Sequence, residues 1–272
     1  YRPWALSRIN GSGNGGNWVE EIVTTPQIAE SVKISRPDGK NENNHKIPCG
    51  GALNSENIKL PIPPYLLGLW LGDGSSHGPR LTCGEVDLDQ IANAVKIEIG
   101  HDISISRSPG KASVINISDG IKDRTKDCLK KQLKKIGVLK NKHIPELYFN
   151  AGTEQRWDLL QGLMDTDGTV TKCAGRTTPR CSFTVTKEAL AFGVWRLARS
   201  LGLKATINKR KATLNGREIG DKWDVAFPAS AATRIFRLER KQSLLPESLG
   251  KRSGTLAIVS CEPVESVPTK CI

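Results

Sequence analysis

The sequence has little that could support disulfide, redox or zinc chemistry. Its seven cysteines, at positions 49, 83, 128, 173, 181, 261 and 271, include no C-x-x-C pair. An odd, scattered set excludes a closed disulfide framework and a zinc ribbon. Single thiols suit a reducing interior, so an intracellular location is expected. Four histidines (His45, His77, His101, His143) lie far apart with no i, i+4 pair. Any catalytic metal is therefore expected to be a hard cation held by carboxylates. Long apolar runs are missing too. The longest nearly unbroken one, Tyr65 to Leu71, is far short of the roughly 20 residues that span a bilayer. The first thirty residues hold no apolar signal-peptide core, so no membrane partner is expected. Acids are in deficit: 28 against 40 Lys and Arg, a net charge of +12. That imbalance points to a polyanionic partner, nucleic acid first. The chain nevertheless has enough apolar residues, 38% before its 26 glycines are counted, to bury the core of one large domain or two ordinary ones.

The strongest signal is an internal repeat. Tyr65-Leu66-Leu67-Gly68-Leu69-Trp70-Leu71-Gly72-Asp73-Gly74 and Leu160-Gln161-Gly162-Leu163-Met164-Asp165-Thr166-Asp167-Gly168 share the frame Leu-x-Gly-Leu-x-x-x-Asp-Gly, with the aspartates 94 positions apart. Pro64 suits the first turn of the first helix. After each helix the pattern predicts two strands, a helix, two strands and a helix. In the second copy these fall at Thr169–Cys173, Cys181–Thr186, a helix over Glu188–Leu201 stopped by Gly202, Ala205–Lys211, Lys222–Phe227 and a short helix over Ala231–Arg237. In the first copy a basic helix, Arg124 to Ile136, closes the series. Lys142-His143-Ile144-Pro145 and Lys241 through Pro246 then end each copy, 69 and 74 residues beyond their aspartates. The fold expected is α+β, two pseudo-twofold αββαββα repeats with antiparallel sheets. The boundaries expected are residues 1–58, 59–155, 156–249 and 250–272.

Leu66, Leu69 and Trp70 fall at i, i+3 and i+4, which predicts one apolar helix face. Gly68 and Gly72, and Gly162 and Thr166, are small residues four apart, a spacing that lets two helix backbones approach closely. If the helices pack parallel about a twofold axis, Asp73 and Asp167 meet at two helix C-termini. Acids there are disfavoured by the helix dipole and by each other. A divalent cation removes both problems, and carboxylates, carbonyls and water are the ligands Mg²⁺ prefers. The alternative is that each Asp-Gly is only a helix stop, with glycine in the left-handed region. Lys142 and Lys241 add the positive charge that phosphodiester cleavage needs near a pentavalent phosphate.

Charge is uneven along the chain. From Thr169 to Phe227 there are twelve Lys and Arg against four acids. Lys172, Arg176, Arg180, Lys209, Arg210, Lys211, Arg217 and Lys222 fall on strand candidates or their turns, as do Arg80, Arg107 and Lys111 in the first copy. A β-ribbon fits the major groove of duplex DNA, so these eleven are the candidate DNA contacts.

On both signature helices and the order of elements after each, residues 60–248 resemble the LAGLIDADG homing endonucleases. The resemblance implies a central parallel helix pair under saddle-shaped sheets and a monomer acting on double-stranded DNA. It implies Mg²⁺- or Mn²⁺-dependent double-strand cleavage of a long asymmetric site, with 3′ overhangs. It places metal on Asp73 and Asp167 and on the carbonyls of Gly72 and Thr166, with Lys142 and Lys241 beside them, and it makes Glu85 and Lys187 candidates for ordering water. The flanks, Trp18–Ser31 with Asn44-His45-Lys46-Ile47-Pro48 and Ser260–Ile272, resemble the splicing part of inteins in replicative helicases. Other parts of a splicing domain are then expected partners. Tyr1, the lack of a Thr-x-x-His motif and the Cys271-Ile272 end imply that this chain as given does not splice. An RNA-splicing maturase, a DNA binder without cleavage and a purely structural insert are the competing readings.

Overall fold

The computed structural model describes residues 5–8, 18–35, 39–107, 110, 112–117, 128–171, 179–249 and 254–268. In chain order the elements are β1 (Ala5–Arg8), β2 (Trp18–Glu21), α1 (Thr25–Glu30), β3 (Lys33–Ser35), β4 (Asn41–Asn43), β5 (His45–Pro48), α2 (Pro64–Asp73), β6 (Arg80–Cys83), α3 (Glu85–Ile99), β7 (Ser104–Ser106) and β8 (Ser113–Asn116). There follow α4 (Leu129–Lys135), α5 (Glu146–Phe149), α6 (Thr153–Asp167), β9 (Gly168–Thr171), β10 (Arg180–Val185), α7 (Glu188–Ser200), β11 (Thr206–Leu214), β12 (Arg217–Pro228), α8 (Glu239–Gln242) and β13 (Thr255–Ala257).

The chain forms two compact units. One combines residues 1–50 with 251–272, and the other is the continuous stretch 51–250. The first is held by the sheet β13-β5-β1-β2, so a strand from each end of the chain pairs with β5. A small β3-β4 hairpin belongs to it as well. Its α1 opens on a capping box in which Thr24 and Gln27 satisfy each other's backbone N–H groups. The strand of the C-terminal segment lies at 255–257, and the described residues after it, 258–268, carry none.

The second unit is α+β with antiparallel sheets, and its halves share one topology. The second half forms the sheet β9-β10-β12-β11. The first forms β6-β8-β7, with an isolated Gly74–Leu81 bridge where the second half has β9. Both signature helices form. Pro63 and Pro64 open α2, and its buried run extends from Tyr65 to Leu71 without a break. The single apolar face expected of it is thus a helix buried all round, because it lies among its own sheet, α3 and α6. The short helix expected over Ala231–Arg237 is instead one 3₁₀ turn at Ala231–Thr233, followed by Arg234 with a φ of +48°.

Candidate active site at the paired helix ends

The helix pair crosses on glycine. A Cβ built on Gly68 would run into the Leu159 carbonyl oxygen and lie 2.9 Å from both Gly162 Cα and Leu163 N. One on Gly162 would meet the Tyr65 carbonyl oxygen and lie 2.8 Å from Leu69 N. One turn on, Gly72 faces the Thr166 side chain. The order of these pairs, 68 with 162 and then 72 with 166, makes the helices parallel, and both chains leave at the same end through Asp73 and Asp167. Gly74 and Gly168 are not left-handed stops. Their φ values are −74° and −77°, and the chain passes straight into extended structure. Glycine is needed there because a Cβ would strike the Trp70 and Met164 carbonyls.

Both acids are pushed upward. Asp73 is raised to about 6, chiefly by burial and next by the Asp167 charge, against the pull of Lys142 and Lys241. Burial also raises Asp167, again against both lysines. Asp73 nevertheless stays exposed at the helix end, and Asp167 is half-buried.

Each lysine grips the end of its own helix. Lys142 Nζ donates to the Gly72 carbonyl at 2.6 Å and lies 5.4 Å from the centre of the Trp70 ring. Lys241 is buried and donates to the carbonyls of Met164 (3.1 Å), Asp165 (2.7 Å), Thr166 (3.1 Å) and Gly168 (2.8 Å). A cation on orphan C-terminal carbonyls is favourable in both places. Burial lowers both ammonium groups, and the neighbouring acids oppose it.

A second buried acid escaped the sequence reading. Asp165 accepts from Tyr65 Oη (2.7 Å) and from the backbone N–H groups of Arg237 and Leu238 (3.1 Å each to Oδ1). Arg237 stacks 3.8 Å over the Tyr65 ring, bridges Glu98 (3.0 Å) and Asp158, and donates to Gln161 (2.9 Å). The network ties α2, α3 and α6 to the loop that leads into α8, the helix that carries Lys241. Its signal was in the repeat itself, since Asp165 stands where the first copy has Leu71.

Strand register sorts the candidate DNA contacts. Cys181, Phe183, Val225 and Phe227 are buried on the helix side of the second sheet. Alternation then puts Thr169, Ser182, Thr184 and Asp224 on the opposite, polar face. Thr169–Ser182 (2.9 Å) and Thr184–Asp224 (3.0 Å) hydrogen bonds join them there. Arg180, Arg210 and Lys222 share that face, Arg210 and Lys222 directly opposite each other. Arg80 takes the same face of the first sheet. Lys209, Lys211 and Arg107 have the other parity. Lys209 pairs with Asp221 (2.8 Å), Lys211 with Glu218 (2.6 Å), and Arg107 with Glu85 (2.6 Å) and Asp89 (3.1 Å). Arg217 is exposed beyond the register shift at Ala212/Thr213. Glu85 also accepts from Ser113 Oγ (3.3 Å), and Lys187 is exposed at the start of α7. Lys111, Lys172 and Arg176 lie outside the described residues.

Duplicated acids at a parallel helix pair, beside sheets with a cationic polar face, set the frame for comparison with known proteins. A family model described as homing endonuclease matches residues 143–231. Over those residues the chain is similar to homing endonucleases. It is 32% identical over 254 residues to the replicative DNA helicase DnaB of Mycobacterium intracellulare, covering 92% of this chain and 38% of that protein. It is 26% identical over 176 residues to the homothallic switching endonuclease of Saccharomyces cerevisiae, covering 57% of this chain and 30% of that protein. The chain thus spans less than two fifths of either relative. Among solved structures, I-DmoI in complex with DNA and Ca matches with a TM-score of 0.41 and 16% identity, over 68% of this chain and 96% of that one.

The oxygen donors at the helix ends fit a hard cation. Asp73 and Asp167 end the paired helices, the carbonyls of Gly72 and Thr166 before them each also accept from a lysine ammonium group, and among the described residues no three His, Cys, Asp or Glu side chains group to hold a metal ion. The helix ends therefore offer part of a ligand shell, which suits a cation that keeps water among its ligands.

Proposed function

We propose that the chain makes a site-specific double-strand break in a long, asymmetric DNA target, and that it resides within an intein. The observation that carries this reading is the pair of raised carboxyls, Asp73 and Asp167, delivered by a parallel glycine-crossed helix pair with one lysine per helix. Asp73, Asp167 and the two carbonyls would hold Mg²⁺ or Mn²⁺, which when bound would activate water and neutralise charge on the phosphate.

The remaining work belongs to the chain's own groups. Asp73 and Asp167 each serve one strand, because the pseudo-twofold axis relates them as it relates the strands of a duplex. Lys142, with a single donated bond, keeps N–H groups to turn toward a phosphate oxygen. Arg80, Arg180, Arg210 and Lys222 bind phosphates or base edges from the polar sheet faces. Opposed like charges such as Arg210 and Lys222 weaken a sheet by themselves, and a polyanion between them removes that cost. Intein residence is supported by the discontinuous first unit, whose sheet uses both chain ends, and by the similarity to a much longer helicase.

The test is incubation with Mg²⁺ and a plasmid carrying the uninterrupted host-gene junction. Wild type should linearise it. Asp73→Asn or Asp167→Asn should bind the junction as wild type does yet lose double-strand cleavage by at least 10³-fold. Full cleavage by either variant would sink the assignment.

A further inference from the structure

The basic helix α4 is not used by the site described above. From Cys128 to Pro145 the chain holds six lysines and no acid. Lys130, Lys134, Lys135 and Lys140 are exposed, and none of these four has a carboxylate partner among the described residues. Lys130 with Lys134 and Lys131 with Lys135 are i, i+4 pairs of like charge, which weaken an isolated helix. The helix is poorly endowed otherwise. Leu133 is its one fully buried residue, and Cys128 supplies no side-chain cap. Lys140 sits at a φ of +60°, a region that lysine rarely adopts, pinned by its N–H to the Ser76 carbonyl at 3.1 Å. Two residues on, Lys142 reaches Gly72 beside Asp73. Along the chain, exposed lysines of α4 and Lys140 are thus followed by Lys142, which reaches the site.

The second half has no lysine-rich helix at this point. After β12 it makes the 3₁₀ turn at Ala231–Thr233, which contains no lysine and leads to Arg234, exposed and at a φ of +48°. We propose that α4 and Lys140 form a phosphate-binding surface for duplex DNA, specific to the first half, that holds the backbone alongside the strand served by that half. The proposal rests on the endonuclease reading above. Its chemistry is that of phosphate neutralisation, and it carries no sequence information.

The test compares wild type with the quadruple variant Lys130→Gln, Lys134→Gln, Lys135→Gln, Lys140→Gln. Each is titrated at several salt concentrations with the junction duplex, with a mixed-sequence duplex and with a single-stranded RNA. Each lost phosphate contact flattens the slope of log K against log salt by about 0.9. Four lost contacts should make the variant's slope on both duplexes shallower by about 3.6, and its affinity at 150 mM salt roughly a thousandfold lower. Cleavage at unchanged positions should return at low salt. The matching quadruple Lys→Arg variant, which keeps the charges, should retain the wild-type slope, and the Gln variant should melt no lower than wild type since it removes repulsion.

An unchanged duplex slope in the Gln variant overturns the proposal. So does a loss confined to RNA, and so does a loss shared by the Arg variant. Failure of the endonuclease reading looks different: wild type itself would then cut no junction DNA, whatever the slopes.

Discussion

The two halves of residues 51–250 agree where they meet and differ where they face outward. At the meeting point Gly68 answers Gly162, Asp73 answers Asp167, and a lysine closes each helix. Away from it the second half extends β11 and β12 over nine and twelve residues, whereas β7 and β8 have three and four. The first half instead puts its uncompensated charge on α4. A duplex is symmetric in its two scissile phosphates but not in its sequence. Duplicated parts at the helix ends and divergent parts on the flanks are therefore what the proposed cleavage of an asymmetric site requires.

The shared crossing is the place to break both halves at once, and it carries the largest expected effect. Gly68→Leu drives a side chain into the Leu159 carbonyl and the Gly162 backbone, and backbone atoms on two packed helices have nowhere to go. We expect a loss of about 3 kcal/mol or more, a fall in melting temperature of the order of 10 °C, and no cleavage. Gly193→Ala in α7 is the control. Its Cβ meets only the Ile144 side chain, at 3.3–3.4 Å, and the gain in helix propensity offsets the squeeze, so melting should shift by under about 1 kcal/mol. Equal melting of Gly68→Leu and wild type would show that the helices do not cross on glycine.

That crossing was legible in the sequence because it depends on spacing within a helix, which is fixed at 3.6 residues per turn. The signature frame marks both helices and both acids, and the segments that close each copy mark Lys142 and Lys241. The faces of the ribbon were not legible. Lys209, Arg210 and Lys211 are consecutive, and which of them points away from the helices follows from the pairing of Arg210 with Lys222, a long-range fact. The missing helix after Ser230 has a similar cause. Its alanines favour helix locally, but Asp165, 72 residues earlier, takes the N–H groups of Arg237 and Leu238. Gln242 takes that of Phe236. A buried carboxylate with three donors outweighs local propensity.

The lysines sharpen the comparison at the next level of effect. Lys241 is 7% exposed and serves four carbonyls. Lys241→Met leaves buried acceptors unpaired and should cost about 2–3 kcal/mol. Lys142 makes one such bond from a half-buried position, so Lys142→Met should cost under about 1 kcal/mol while still impairing cleavage. Thermal melts beside single-strand nicking rates separate the two outcomes. Matching melting losses would mean the lysines are equivalent and the halves more alike than their hydrogen bonds indicate.

The smallest effect concerns the acids, and it fades as pH falls. An acid raised from 3.8 to about 6 on folding binds its proton more tightly in the native state. Its contribution to stability is full below about pH 4 and is lost as pH rises through about 6. Asp73→Asn removes a charge that the metal-free fold disfavours at pH 7.5. The variant should therefore melt above wild type there, by about 1 kcal/mol or a few degrees, a modest figure because the Asp73 carboxyl is partly open to water. At pH 4.5, where Asp73 is protonated in the native protein, most of that advantage should vanish. Added Mg²⁺ should raise the melting temperature of wild type at pH 7.5 more than that of the variant, since only the ionised pair attracts it fully. At limiting Mg²⁺, cleavage by wild type should also decline as pH falls toward about 6, because protons then compete with the cation for the carboxyls. A variant less stable than wild type at pH 7.5 without metal would mean that Asp73 is held by favourable contacts in the fold, and that the first half's acid is structural rather than poised for a cation.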